Sequence, residues 1–398
     1  MAGLLLVLAA VLLAVLFAVV GRDAEPLTDP RLSSPAGRQD LAAVALSGVV
    51  DGVRTGDAAD FRAVATPEVA QRLSDNAQAL HVADFSLRYV DEDRALSAGL
   101  QQGQWAAAVD ASWRFDGFDP GPAWAEITVT FALEDGQARI TGFGGGSRRT
   151  PLWLLAGLAV DRTDDALVMV AGESVGEYAT QAREAVRVVR AMLPDTEQGL
   201  VVEVPANTGQ LNAMLDADEG EYDNIAAVTT TVDGSLTPTS PVHVLVNPQL
   251  WSGLKAQGAQ VVMSHEAVHV VTGAATTSGV PLWLLEGFAD YVALRDVDLP
   301  LTTAAAQVIA RVQEEGVPDA LPGSVEFNSR TSHLGAAYEA AWLACRVLVG
   351  EGGEDALVDL YNDVSAGASL PDALQEHFGL TEDKLVGLWQ DELEALAR

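Results

Sequence analysis

The spacing of hydrophobic and polar residues changes several times along the chain. Residues 1–21 are apolar and contain no charged side chain. At about 1.5 Å of rise per residue, they would form a helix long enough to cross a hydrocarbon core of about 30 Å. Residues 22–40, rich in Pro, Gly, Ser and charge, read as a tether, and apolar residues then recur at helical spacing from Leu41 to about Asn76. We therefore expect a transmembrane helix, a linker and a helical segment.

The apolar leader lacks the features of a cleaved signal peptide. No basic residue precedes it, and Ala18-Val19-Val20 is a poor cleavage site. We therefore expect a single-pass anchor in the cell membrane, with a signal peptide as the alternative. By the positive-inside rule, the arginines that follow the leader would keep the rest of the chain on the cytoplasmic side. Long polar domains often cross regardless of such charge, so we expect an extracytoplasmic body.

Beyond Asn76 the pattern changes to a period of two. Four alternating segments read as consecutive antiparallel strands joined at Asp-Gly and Gly-rich turns, namely "DFSLRYVDED", "QWAAAVDASWRFDG", "AWAEITVTFALEDG" and "QARITGFGGG". Helices followed by such a meander give an α+β domain over residues 41–150. In the order of its elements this domain is similar to NTF2-like and cystatin-like domains. It could hold a ligand or serve as a spacer, and it has no reactive group of residues.

The second half of the chain mixes strands and helices and then becomes helical. Residues 151–198 read as connecting strands and an amphipathic helix. Residues 199–398 read as a further domain, with buried strands first and mostly helices after Gly253. We expect a mixed sheet followed by a helical lobe.

Composition and charge narrow the classes of function. The formal net charge of −33 would repel a phosphate backbone, so we expect no binding of nucleic acid. Hydrophobic residues make up 49% of the chain, which allows buried cores and argues against disorder. Cys345 is the only cysteine, so neither an internal disulfide nor a cysteine-based zinc site can form.

The stretch "MSHEAVHVV" places two of the six histidines four positions apart. On a helix, His265 and His269 then face the same way, with Cβ atoms about 5–6 Å apart, and both imidazoles can reach one zinc ion. Glu266 lies beside such an ion, where it can take a proton from water that the metal has made more acidic. With six histidines in 398 residues, this pattern is expected by chance far less than once.

A catalytic zinc site needs a third protein ligand and an open position. A histidine six residues after His269 would supply it in one arrangement, but Ala275 stands there. The stretch "PLWLLEGFADYVA" instead offers Glu286 on a helix that opens after Pro281. Asp290 is one turn further on, so it can accept a hydrogen bond from a ligating imidazole.

Together, "HEAVH" and "WLLEGFADY" resemble the paired motifs of the gluzincin metallopeptidases, the thermolysin-like and aminopeptidase-N-like group. The resemblance implies that His265, His269 and Glu286 bind Zn²⁺. It also implies Glu266 as general base and Asp290 as the residue that orients a ligating histidine.

The resemblance covers roughly residues 199–396 and has two departures. Sixteen residues separate His269 from Glu286, a shorter connection than the family usually has. The Gly-x-Met-Glu-Asn stretch, with which exopeptidases of this group recognise the free amino terminus of a substrate, is absent. Aminopeptidase activity is therefore not implied. The family pattern also implies that the strand "VHVLV", residues 242–246, is a sheet edge at which an extended peptide can pair.

Hydrolysis of an amide also needs a group that stabilises the oxyanion. The stretch "TSHLGAAYEAAWLACRVLVG" offers Tyr338 and His333 for this role, although the Tyr338 ring could instead pack in the core. His243 could line the cleft. His81 and His377 read as surface or structural residues.

The leading hypothesis is a membrane-anchored zinc metallopeptidase that acts on a peptide or protein substrate through metal-activated water, with Glu266 as general base. One alternative is a non-catalytic envelope binding or assembly module with a structural or vestigial zinc site. Another is a zinc hydrolase of non-peptide amides or esters. Glu266 favours an enzyme, because a purely structural site needs no base.

Overall fold

The computed structural model shows an α+β fold with two sheets and many helices. It describes four stretches of the chain, residues 34–218, 220–237, 239–328 and 333–398. The transmembrane helix predicted for residues 1–21 lies outside these stretches, as does most of the tether. Within them, no helix is both long and apolar enough to cross a bilayer. The predicted fold class is therefore corrected: its α+β part is confirmed, and its membrane-spanning helix is not supported.

The N-terminal unit, residues 34–150, begins with three helices, α1 (Pro35–Thr55), α2 (Ala58–Val64) and α3 (Pro67–Leu80). Helix α1 starts inside the predicted tether. Its start is set by Ser34, whose hydroxyl accepts a hydrogen bond from the Gly37 amide, and by a proline at the first helical position.

The predicted meander follows these helices. Its antiparallel strands lie in chain order, with a short helix after the first: β1 (Val82–Asp93), α4 (Arg94–Ser97), β2 (Gln104–Phe115), β3 (Ala123–Glu134) and β4 (Gln137–Phe143). Trp105 and Phe131 stack within the core with ring centroids 5.3 Å apart, and Leu46 and Leu73 from the helices are buried in the same cluster. Burial of each such side chain contributes about 1.5–3 kcal/mol.

A second sheet of five strands follows, with helices between them. The elements are α5 (Leu152–Leu155), β5 (Leu158–Arg162), β6 (Ala166–Ala171), α6 (Gly176–Met192), β7 (Leu200–Val204), α7 (Thr208–Leu215), β8 (Ala227–Thr231), β9 (Val242–Val246) and α8 (Pro248–Trp251). The strand order is β5-β6-β7-β9-β8. β6, β7 and β9 are parallel, and β5 and β8 are antiparallel to their neighbours. The segment 151–198, predicted to connect two domains, thus contributes β5, β6 and α6.

The position of β9 corrects one expectation. β9 is "VHVLV", and it pairs with β7 on one side and β8 on the other, so it is an interior strand. The outer strand next to it is β8, from the stretch "AVTTT". The chain reaches β8 before β9 and then turns back, so the order in sequence differs from the order in the sheet.

The second sheet forms a middle layer, because successive side chains of a strand point to opposite faces. In β6, Val168 and Val170 belong to one core cluster, whereas Leu167 and Met169 belong to the cluster of the N-terminal unit. The sheet therefore packs against the N-terminal unit on one face and against helices on the other.

The remaining helices lie on the side of that second face, where α6 and the first of them contact the strands. They are α9 (Ala256–Val271), a 3₁₀ turn (Ala274–Thr276), α10 (Leu282–Leu294), α11 (Leu301–Ala304), α12 (Ala306–Glu315), α13 (Leu334–Gly352), α14 (Glu354–Ser365), α15 (Leu370–Phe378) and α16 (Glu382–Ala397). Helix α9 carries "HEAVH" and α10 carries "WLLEGFADY", so the fold sets the two motifs on neighbouring helices.

Candidate metal centre

The motif histidines occupy a buried part of α9. His265 and His269 are each 8% exposed and Glu266 is 7% exposed. The apolar residues of the same helix, Met263 and Ala267 among them, lie in the core between the sheet and the helical layer. Polar groups so deeply placed are costly unless they are partnered, so their surroundings define the site.

Glu286 reaches these histidines from α10 despite the short connection between the motifs. The sixteen intervening residues comprise the end of α9, the 3₁₀ turn, a short loop and the first turn of α10. The next residue, Gly287, lets α10 approach α13 closely, because a Cβ there would lie 2.4 Å from the Ala341 carbonyl oxygen. A glycine in a helix usually destabilises it, and here it sets the depth at which Glu286 enters the cluster.

Three ligand atoms converge at the centre of the site. The Nε2 atoms of His265 and His269 are 3.0 Å apart, and Glu286 Oε2 is 3.2 Å from each of them. Four ligands at about 2.0–2.1 Å around zinc would lie about 3.3–3.4 Å from one another. The three atoms are therefore spaced so that they can hold one small metal ion.

Asp290 fixes the orientation of the His265 ring through a hydrogen bond to one of its two nitrogens. Its Oδ1 lies 2.8 Å from His265 Nδ1, the ring nitrogen that faces away from the cluster. A proton on Nδ1 leaves the Nε2 lone pair directed at the three-atom centre, which is the tautomer a metal ligand needs.

Charge in the cluster favours a cation. Burial alone would lower the pKa of His265, but Asp290 and Glu286 outweigh it and raise that pKa well above its usual value. Burial would likewise raise the pKa of Glu286, but the His269 and His265 imidazoles hold it well below its usual range. The Glu286 carboxylate is thus ionised and attracts positive charge to the histidine nitrogens.

Glu266 lies next to the ligand set without being part of it. Its Oε2 accepts a hydrogen bond of 2.7 Å from the Thr229 hydroxyl, which is also 3.1 Å from the Glu266 carbonyl oxygen. Burial raises the pKa of Glu266 above its usual value. A carboxylate with a raised pKa is a better proton acceptor than an exposed one, as a general base requires.

A cavity of about 210 Å³ opens beside His265 and Glu266. Most of its other lining is apolar, from Ile225, Ala226, Ala227, Val261, Val262 and Leu334. Tyr338 lines it as well, with its ring centroid 5.9 Å from that of His265, and burial raises the pKa of Tyr338 so that the hydroxyl stays protonated. His333 is exposed at the start of α13 and does not line the cavity.

His243 does not line the cleft, contrary to expectation. It is wholly buried on the face of β9 opposite the motif helix. Its two ring nitrogens lie 2.9 Å from Asp119 Oδ1 and 2.6 Å from Glu203 Oε1. Because Asp119 precedes β3, this group joins the N-terminal unit to the second sheet.

The two remaining histidines outside the motifs are His81, at the surface, and His377, which is partly buried. His81 is exposed just after α3. His377 Nε2 lies 2.7 Å from Asp363 Oδ2, and with Glu376 these residues form a second set whose ligand atoms lie within 4.8 Å of one another. That set is partly exposed, unlike the buried cluster formed by α9 and α10.

Sequence reasoning did not single out Thr229, Asp119 or Glu203. Thr229 is the first of three consecutive threonines in "AVTTTVDG", and nothing local marks it as the one that faces Glu266. The strict alternation of a strand could have shown that Thr229 and Ala227 share a face, but not which face meets the motif helix.

Comparison of the chain with protein-family models gives no match, and comparison with curated protein sequences gives none. The likeness to gluzincins is therefore limited to the two motifs, and a function is proposed from the geometry of the site.

Proposed function

We propose that the protein is a zinc metallopeptidase in which His265, His269 and Glu286 bind the ion and Glu266 is the general base. The observation that carries this proposal is the convergence of two imidazole nitrogens and one carboxylate oxygen, 3.0–3.2 Å apart, with a second buried carboxylate beside them. Two imidazoles with one carboxylate suit zinc among the common metals, and three protein ligands leave one position open for catalysis.

The chain's own residues would carry the proton transfers. When bound, the zinc ion supplies Lewis acidity, which makes water more acidic and polarises a substrate carbonyl. Glu266 accepts the proton of the attacking water at its carboxylate and delivers it to the leaving nitrogen. The raised pKa of Glu266 suits both halves of this cycle, because the carboxylate has to hold the proton between them.

Tyr338 and Asp290 would support this chemistry from two sides. The Tyr338 hydroxyl, kept protonated by burial, can donate a hydrogen bond to the developing oxyanion from the cavity wall. Asp290 holds His265 in the ligating tautomer through its hydrogen bond to Nδ1.

An extended peptide is the substrate that the surroundings favour. Ala226 and Val232 hydrogen-bond to the hairpin partner of β8, through the Asn247 amide and the Pro241 carbonyl. Because such bonds alternate along an antiparallel strand, the backbone groups of Ala227 and Thr229 point away from β9. A peptide could pair with this outer strand and bring its scissile bond beside Glu266.

The test is zinc content and cleavage of an unfolded protein mixture by the full chain, with and without a chelator. We expect about one zinc per chain and chelator-sensitive cleavage. Glu266→Gln should keep the metal and lose most of the turnover, and Glu286→Ala should bind zinc much more weakly. His377→Gln serves as control, because it removes a partly buried histidine that also pairs with a carboxylate, away from the cluster on α9 and α10.

Two outcomes would contradict the proposal. A parent protein that binds no zinc would leave "HEAVH" as a coincidence of helical spacing. A parent that binds zinc but cleaves no peptide bond would favour the non-catalytic binding module or the hydrolase of other amides and esters.

A further inference from the structure

We propose that Thr229 is a positioning residue that holds the general base in register with the outer strand of the sheet. This inference deepens the proposed function and rests on it. The observation behind it is that one residue of β8 contacts Glu266 with its side chain while its backbone points to the strand's outer side.

The hydrogen bond is well formed and specific. Thr229 Oγ1 lies 2.7 Å from Glu266 Oε2 and 3.1 Å from the Glu266 carbonyl oxygen. A hydroxyl has one proton, and the charged carboxylate is the stronger acceptor. Among the described residues, Thr229 is the side chain that hydrogen-bonds to this carboxylate.

A base without such a contact could rotate within the site. The walls of the cavity next to Glu266 are mostly apolar, and Thr229 supplies a hydrogen bond that orients the carboxylate. A shift of about 1 Å in a reacting group can cost about a hundredfold in rate. The hydroxyl of Thr229 therefore acts on turnover through Glu266, without contacting the reacting atoms itself.

The position of Thr229 on β8 adds a second consequence. In the antiparallel pairing, Thr229 lies opposite Val244, and its backbone N–H and C=O face away from β9. A peptide paired there would be held by the backbone of the same residue whose side chain holds the base. Thr229 would then fix the distance between the scissile bond and Glu266, because its backbone holds the peptide and its side chain holds the base.

The neighbouring threonine provides a matched control. Thr230 lies opposite His243 and therefore shares its face of the sheet, turned away from the motif helix. Both threonines are partly buried in the same strand. Thr230→Val thus removes the same hydroxyl from the same strand without touching Glu266.

The experiment compares Thr229→Val, Thr229→Ser and Thr230→Val in the full chain. We expect Thr229→Val to lower kcat about 10- to 100-fold with KM nearly unchanged. Zinc affinity and melting temperature should match those of Thr230→Val. Thr229→Ser should recover most of the turnover, because it restores the hydroxyl.

A spectroscopic measurement keeps this test independent of activity. The infrared carboxylate band that disappears in Glu266→Gln belongs to the base, and it should shift in Thr229→Val and not in Thr230→Val. Equal kcat in Thr229→Val and Thr230→Val, or an unshifted band, would overturn the inference. If Thr229→Ser were as slow as Thr229→Val, the methyl group rather than the hydroxyl would matter, which also overturns it. Absence of peptidase activity in the parent would instead defeat the proposed function, and the band would still report on the hydrogen bond.

Discussion

The buried group formed by Asp119, His243 and Glu203 gives a quantitative prediction about stability. Both ring nitrogens of His243 face carboxylate oxygens, at 2.9 and 2.6 Å, and all three residues are buried. The Phe115 ring stacks on the imidazole with centroids 5.5 Å apart. A doubly protonated imidazole can donate to both carboxylates at once, so this arrangement favours a charged histidine in the interior.

The magnitude follows from the pKa of His243. Burial alone would lower it, but Asp119 and Glu203 outweigh burial and raise the pKa to about 9. A free histidine has a pKa of about 6.5, so the difference corresponds to about 3 kcal/mol of stability. The folded-state pKa is the higher one, so this contribution is fully present below about pH 6.5 and is lost as the pH rises through about 9.

The assay is urea unfolding of the parent and of His243→Gln at intervals from pH 6.5 to pH 10. The difference in unfolding free energy between the two proteins should fall by about 3 kcal/mol across this range. His377→Gln, which breaks a partly exposed pair with Asp363, should change stability by less than about 1 kcal/mol. A difference between parent and His243→Gln that stays constant with pH would refute the assignment of a charged His243.

Three further substitutions test the metal centre. Asp290→Asn should weaken zinc binding about 10- to 100-fold, measured by competition with a chelator, because it loses the charged acceptor of His265 Nδ1; unchanged affinity would contradict that role. Tyr338→Phe should lower kcat about 10²- to 10³-fold with zinc content unchanged, in single-turnover assays of peptide cleavage; full activity would exclude Tyr338 as the oxyanion donor. Gly287→Ala should destabilise the fold by about 1–3 kcal/mol in urea and weaken zinc binding, because the new Cβ would lie 2.4 Å from a carbonyl oxygen of α13; a neutral effect would show that the helices can separate freely.

The placement of the candidate ligands could be predicted because it depends on local spacing. Four residues bring His265 and His269 to one face of a helix, and the same interval brings Glu286 and Asp290 together. What joins the two pairs is the packing of α9 on α10, and only the likeness to a known pair of motifs anticipated it. The order of strands could not be predicted in this way. "VHVLV" is the last strand before the motif helix in sequence, yet β8 lies outside it in the sheet.

His243 was placed wrongly and Thr229 was missed for the same physical reason, which is that their partners lie far away in the sequence. His243 meets Asp119, 124 positions earlier, and Glu203, 40 positions earlier. Thr229 meets Glu266 across 37 positions. No periodicity encodes such pairs, because they arise from the stacking of layers and not from the repeat of one helix or strand.

We propose that His265, His269 and Glu286 bind a single zinc ion. This proposal can be checked by calorimetric titration of metal-free protein with zinc, beside X-ray absorption of the loaded protein at the zinc edge. We expect one ion per chain, nitrogen and oxygen neighbours at about 2.0–2.1 Å, and no high-affinity binding in His269→Ala. Undiminished zinc binding in both His269→Ala and Glu286→Ala would contradict it, because the ion would then lie elsewhere.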